Sequence, residues 1–240
     1  MRLRHFFSVL TLGLVALQSA ATAADTSKDS AEVRISERVR AMMNVAPNSV
    51  RPAPVPGLYE VVINRSRVFY VDPEVRFLIA GRIFEAATET DLTAKRMEEL
   101  SRVSLNELPL KDAITVVYGK GERKIAVFTD ANCSYCKVLE KSLREIGNVT
   151  VYNFIYPILN SREASRNIVC AKNPVSAFQN HMLTGADPAP AVCDDSVLER
   201  NLRLGSDLQI TGTPHIIFSN GERFAGAMPI DRLREALASQ

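Results

Sequence analysis

The sequence has no apolar run of the roughly 20 residues that a bilayer-spanning helix requires, no basic run, no second Cys-x-x-Cys and few histidines. Each shortage excludes something. Its 29 Lys and Arg stand against 27 Asp and Glu, so no net field favours nucleic acid or an anionic membrane as partner. A tetrahedral zinc site needs a second Cys-x-x-Cys or a Cys/His pair at matching spacing, which argues against a metal. Position 137 is lysine, so the histidine that haem attachment requires after the cysteine pair is missing. Adjacent arginines are absent from the N-terminal segment, which favours general export over the twin-arginine route.

What remains is a globular composition. At 46% hydrophobic and 23% charged residues the chain can bury a core, and its length allows one or two domains. Arg2 and Arg4 precede an apolar stretch at 6–17, broken by Ser8, Thr11 and Gly13, and then Ala21-Thr22-Ala23. That is the layout of a secretory signal peptide, residues 1–23. An uncleaved anchor is the alternative, but the Ala-x-Ala pattern follows the apolar run directly. Cleavage after Ala23 removes Arg2 and Arg4 and leaves 27 basic residues against 27 acidic. No stable membrane insertion is expected of the mature chain.

Residues 24–90 read as an N-terminal domain. A short helix is expected over 32–45, with Val33, Val39, Met42 and Met43 as a ragged apolar face. Three prolines make 50–57 an extended lead-in. The runs 58–63, 68–71, 75–80 and 82–86 are rich in Val, Ile, Phe and Tyr and are separated by turn residues. They predict a small antiparallel sheet, too small to stand alone and with edges open to pairing. Residues 91–112 read as a linker helix, capped by Thr90, running from Leu92 to about Asn106 and stopped by Pro109. Residues 113–240 change to an α/β pattern: strands at 114–118, 124–129 and 149–156, a helix at 137–146, and a helical insert at about 160–209. A hairpin around Asn220-Gly221 and a closing helix at 230–238 complete it.

Four cysteines in an exported chain suggest disulfides, and the spacings separate two kinds. Cys133 and Cys136 have two residues between them, at the point where an apolar strand meets a helix. A helix N-terminus presents unpaired N–H groups and partial positive charge, which favours thiolate at Cys133. Residues three apart share a helix face, so Cys136 can close a disulfide with Cys133 or resolve a mixed one. Cys133 is expected at the exposed tip and Cys136 inside the first turn. A purely structural bond is the plain alternative, but so small a loop gives little entropic stabilisation. In Thr211-Gly-Thr-Pro-His-Ile-Ile-Phe, Pro214 stands directly before strand residues, a placement that a cis Thr213–Pro214 bond in a tight turn explains.

Together VFTDANCSYCKVLEK, ITGTPHIIFSNGERFAG and GLYEVVINRSRVFYVDP resemble the DsbC/DsbG family of periplasmic disulfide isomerases, more closely on the DsbC side. The resemblance runs from about residue 58 to 237. It implies an α+β chain: a cystatin-like β dimerisation domain, a linker helix, and a thioredoxin-fold domain (α/β) carrying the helical insert. It implies a V-shaped homodimer with an uncharged cleft for misoxidised exported proteins. Cys133 would be the nucleophile, Cys136 the resolving cysteine and Pro214 a cis-proline, with Thr213 contacting the pair and substrate. A membrane reductase of the DsbD type would keep the pair reduced, and no cofactor is implied. Tyr135 matches the family dipeptide between the cysteines, whereas Ser134 stands where the family usually has glycine. Position 127 is valine where many thioredoxins carry a buried acid.

Cys170 and Cys193 lie in the insert without a strand-to-helix entry. They read as a structural disulfide worth about 3 kcal/mol on the chain-entropy account, and the family carries a comparable pair. His215 either sits near the thiols as a cation or faces solvent at a strand start; His181 has no evident partner. The rival readings are a holdase chaperone without redox turnover, and a dedicated oxidant or a sulfenic-acid reductase of the DsbG kind.

Overall fold

Alternating apolar residues build the first sheet, and a helix covers it. The computed structural model describes residues 25–64 and 66–240; the expected signal peptide lies outside them. The chain divides into two compact units between Thr93 and Ala94. In the first, α1 (Asp25–Met43) buries Ala31, Ile35 and Val39. These residues are four apart, and so share one stripe. Val33, expected on that face, points away from the stripe and is more than half exposed; Met42, in the last turn of the helix, is also more than half exposed.

Strands β1 (Ser49–Pro52), β2 (Tyr59–Ile63), β3 (Arg67–Val71) and β4 (Leu78–Ile79) follow in antiparallel order. Ile35 and Val39 pack with Val61, Ile63, Phe69 and Val71. The proline-rich lead-in thus begins with an edge strand, Val50 opposite Val61. The run at 75–80 yields only the two-residue β4. The Asp72 carboxylate accepts the N–H groups of Arg76 (2.7 Å) and Phe77 (2.8 Å), and this side-chain turn consumes residues that propensity assigns to a strand. β5 (Phe84–Glu85) and β6 (Thr90–Asp91) form a separate hairpin rather than joining the sheet.

α2 (Leu92–Ser101) is shorter than the helix expected to Asn106. Val103 turns inward, 8% exposed, and its N–H pairs with Gly221 O at 3.1 Å. Ser104 then caps a short 3₁₀ turn. Tertiary contacts override helix propensity here.

The second unit is built on β7 (Ile114–Tyr118), β8 (Arg123–Thr129), β9 (Val149–Ile155), β10 (His215–Phe218) and β11 (Arg223–Ala225), in the order β11-β10-β8-β9-β7. β8 and β9 run parallel, linked by the crossover helix α3 (Ser134–Ile146). β7 and β8 are consecutive yet unpaired; β9 lies between them. Side chains alternate along β8: Ile125 and Val127 join the core with Leu139 and Leu143 of α3, whereas Ala126 and Phe128 join Phe154, Tyr156 and Leu105 opposite. With both faces covered, the strand reads as a continuous apolar run. The insert is α4 (Arg162–Val169), α5 (Pro174–Thr184) and α6 (Ser196–Asp207); α7 (Ile230–Ala238) closes the chain. Gly205 in α6 lies against the Tyr156 ring, which a Cβ would strike.

Candidate active site

β8 delivers the chain to the buried residues Thr129 and Asp130. The Asp130 carboxylate accepts three hydrogen bonds, from Asn132 N–H (2.7 Å), Leu159 N–H (2.9 Å) and the Ser161 hydroxyl (2.8 Å). Its carbonyl accepts Cys133 N–H at 3.1 Å. The loop entering the cysteine pair is therefore pinned from both ends of one residue.

Cys133 is the N-cap of α3, with its sulfur 3.3 Å from the Cys136 N–H it accepts. Its carbonyl accepts Lys137 N–H at 3.2 Å. The thiol also donates to Thr213 O at 3.3 Å, and the Thr213–Pro214 bond is cis. Both cysteines are free and buried. Cys133 is 4% exposed against 2% for Cys136, so the expected exposed tip is corrected. The Thr213 carbonyl lies against the sulfur, and Asp130 ties down the preceding loop. Tyr135, 66% exposed, and Ser134 stand outward in the first turn. The Thr213 hydroxyl is buried without a partner among the described residues.

Cys136 lies deeper in the same helix. Burial pushes its thiol up to about 12, against the opposing hydrogen bonds from Thr129 and the Asp130 backbone. It is held as a thiol at neutral pH. Val127 packs in the core cluster that contains both cysteines. The unit's high-lying buried acid is instead Glu140, one turn after Cys136 on α3 and 2% exposed. Burial pushes its carboxyl up to about 7, although the Tyr118 hydroxyl donates to it and Arg144 lies nearby. No trio of His, Cys, Asp or Glu among the described residues could hold a metal ion.

His215 is neither cationic nor solvent-facing. It is 9% exposed and accepts from Arg223 Nε at 3.0 Å. Burial and the Arg223 charge push it down to about 4. His181, without an expected partner, is buried with its ring nitrogens 2.9 Å from Ala186 O and 2.8 Å from Ala131 O. Those contacts tie the insert to the loop before Cys133. Asp130 and Glu140 are residues that the sequence did not single out, and His181 is one that it left without a partner. An acid directly after an apolar strand was the available signal for Asp130; the partners of the other two come from distant segments. Cys170, capping α4, and Cys193 are joined in a disulfide with Cα atoms 5.4 Å apart.

Residues 110–240 match the thioredoxin-like domain family, and residues 19–94 match the disulfide bond isomerase protein N-terminal domain. A probable thiol:disulfide interchange protein DsbC from Bordetella avium is 43% identical over 78% of this chain and 68% of its own. The Bordetella parapertussis protein of the same description is 40% identical over 91% of this chain and 77% of its own. The thiol:disulfide interchange protein DsbC of Escherichia coli is 27% identical over 84% and 85%. Among solved structures, a disulfide interchange protein from Neisseria gonorrhoeae aligns with a TM-score of 0.53 and 31% identity, covering 55% of this chain and 97% of that one. A thioredoxin-like unit with its cysteine pair at a helix start, behind a matching N-terminal domain, places the chain in the DsbC family of thiol:disulfide interchange proteins.

Proposed function

We propose that this thiol:disulfide interchange protein acts as a periplasmic isomerase for misoxidised exported proteins, with Cys133 as nucleophile and Cys136 as resolving cysteine. One observation carries the assignment: both sulfurs are buried, but only Cys133 stands at the N-cap of α3, with Cys136 inside its first turn. Cys133 caps α3 and accepts the Cys136 amide, where the helix N-terminus favours negative charge. Cys136 is held protonated by burial.

The Cys133 thiolate attacks one sulfur of a wrong disulfide. A Cys133–substrate bond forms and the other substrate sulfur leaves as thiolate. That thiolate, or another in the substrate, then attacks elsewhere until a substrate thiolate displaces Cys133, so no net electrons move. Where this fails, Cys136 loses its proton and attacks the Cys133 sulfur. The substrate leaves reduced by two electrons and the pair is left oxidised. A membrane reductase of the DsbD type would return the pair to its dithiol form. Ser134, Tyr135, Thr213 and Pro214 form the rim against which a substrate strand would rest. Cys170 and Cys193 serve as a structural bond.

Homodimer formation through the first unit is supported by its exposed apolar residues Phe77, Leu78, Ile79 and Phe84 and by β4 at the end of its sheet, an edge suited to a second copy. Export with a cleaved signal peptide fits the N-terminal sequence pattern, and no helix among the described residues is long and apolar enough to cross a membrane.

Refolding of a scrambled disulfide protein tests the assignment. The wild type is expected to restore activity, and Cys133→Ala is expected to lose at least about a hundredfold in rate. Full isomerase activity in Cys133→Ala would contradict it. Suppression of aggregation that survives loss of both cysteines would add a holdase activity, and a preference for sulfenic acids over disulfides would point to the DsbG-like reductase.

A further inference from the structure

A groove of about 450 Å³ opens beside the cysteine pair, lined by Asn132 at one end, by Glu163 and Asn167 of α4, and by Asp187 and Pro188 of the loop after α5. Asn132 directly precedes Cys133, so the groove is continuous with the nucleophile's loop.

Its polar groups are incompletely used. Asn167 is 6% exposed; its Oδ1 accepts Ala191 N–H at 3.1 Å, which leaves the Nδ2 donors without a partner among the described residues beside the groove. Asn132 is the reverse: its Nδ2 donates to Leu159 O and Asn160 O, which leaves its Oδ1 as an open acceptor. One donor and one acceptor match the C=O and N–H of a peptide unit. The charged residues of the lining, Glu163 and Asp187, are both acidic. Neither side chain has an ion pair or hydrogen bond among the described residues. Arg162, next to Glu163, is committed to Asp195 and Glu199, and Arg166, one turn on, makes no ion pair among the described residues.

We propose that this groove binds the stretch of unfolded substrate chain flanking the attacked cysteine, and that it prefers a stretch carrying Lys or Arg. The proposal rests on the exchange reading above and adds a substrate class to it. The amide pair would hold the backbone, and the two carboxylates would draw a cationic side chain to a place within one loop of Cys133. Selectivity would thus come from charge beside the site rather than from the cysteines.

The test is single-turnover reduction of three disulfide-linked peptides by the reduced protein, differing only in Arg, Gln or Glu beside the cysteine. Cys133 and Cys136 supply the two electrons and end as a disulfide. The wild type is expected to react with the Arg peptide about fivefold faster than with the Glu peptide at low salt, a size suited to two partly exposed ion pairs. Glu163→Gln/Asp187→Asn should bring that ratio close to one, and Glu163→Lys/Asp187→Lys should invert it. Equal rates in the wild type, or an unchanged ratio in both double variants, would overturn the groove assignment while leaving the exchange chemistry intact. Failure to reduce even the Gln peptide would instead overturn the exchange reading, and the groove with it.

Discussion

The two cysteine pairs share one unit yet live under opposite conditions. Cys133 and Cys136 are free, buried, and set at the start of a helix fed by the central strand. Cys170 and Cys193 are bonded across 23 positions in the insert, with Cys193 exposed. A sulfur becomes a reagent through the groups that face it. The first pair is met by a helix N-terminus, the Thr213 carbonyl and a loop pinned by Asp130. The second joins the C-cap of α4 to the segment leading into α6, where a covalent tie restrains the stretch that carries α5. Within the first pair both sulfurs are buried, and the difference is one of position: Cys133 caps α3 and accepts the Cys136 amide, while the Cys136 thiol lies inside the first turn and is pushed up by burial.

The comparison breaks first at Cys136. Cys136→Ser should abolish release by the resolving route and leave Cys133 covalently joined to a disulfide substrate, a species visible on non-reducing gels and by mass. Absence of any trapped adduct with a peptide disulfide would undo the division of roles. The second pair should behave differently. Cys170→Ala/Cys193→Ala should cost about 3 kcal/mol of stability on the chain-entropy account, measured by urea unfolding. Its single-turnover peptide reduction should stay within about twofold of the wild type. A loss of exchange as large as that of Cys133→Ala would make the second pair part of the chemistry.

A smaller effect sharpens the role of burial along α3. Glu140 has its carboxyl raised to about 7, chiefly by burial. The folded chain therefore keeps a proton there that the unfolded chain sheds above about 4.5. Between those values the unfolded state binds fewer protons, so this contribution to stability is full below pH 4.5 and is lost as pH rises through 7. Glu140→Gln keeps an acceptor for Tyr118 and cannot ionise. It should be more stable than the wild type by about 2 kcal/mol at pH 8, with the gap closing below pH 4.5. A gap independent of pH would show that Glu140 does not titrate in this way.

Much of this was legible in the sequence where the cause is local. The apolar run of β8, the helix start at Cys133, the Asn220-Gly221 hairpin and the span of α7 follow from neighbouring residues. What escaped depends on distant partners. Cys133 is covered by Thr213, 80 positions away. His215 is kept neutral by burial and by Arg223 across the hairpin. The run at 75–80 loses most of its strand to the Asp72 carboxylate, and α2 ends early because Val103 bonds to Gly221. β7 and β8 look like partners until β9 inserts between them. Pattern and propensity identify elements, whereas burial and charge state are set by what the fold brings against them.

The central claim is that Cys133 is the reactive sulfur and Cys136 a buried, protonated one. Brief alkylation of the reduced protein with iodoacetamide at pH 7, followed by peptide mapping, measures this directly. The account predicts label on Cys133 with Cys136 unmodified until the fold is opened. Equal labelling of both, or faster labelling of Cys136, would contradict it.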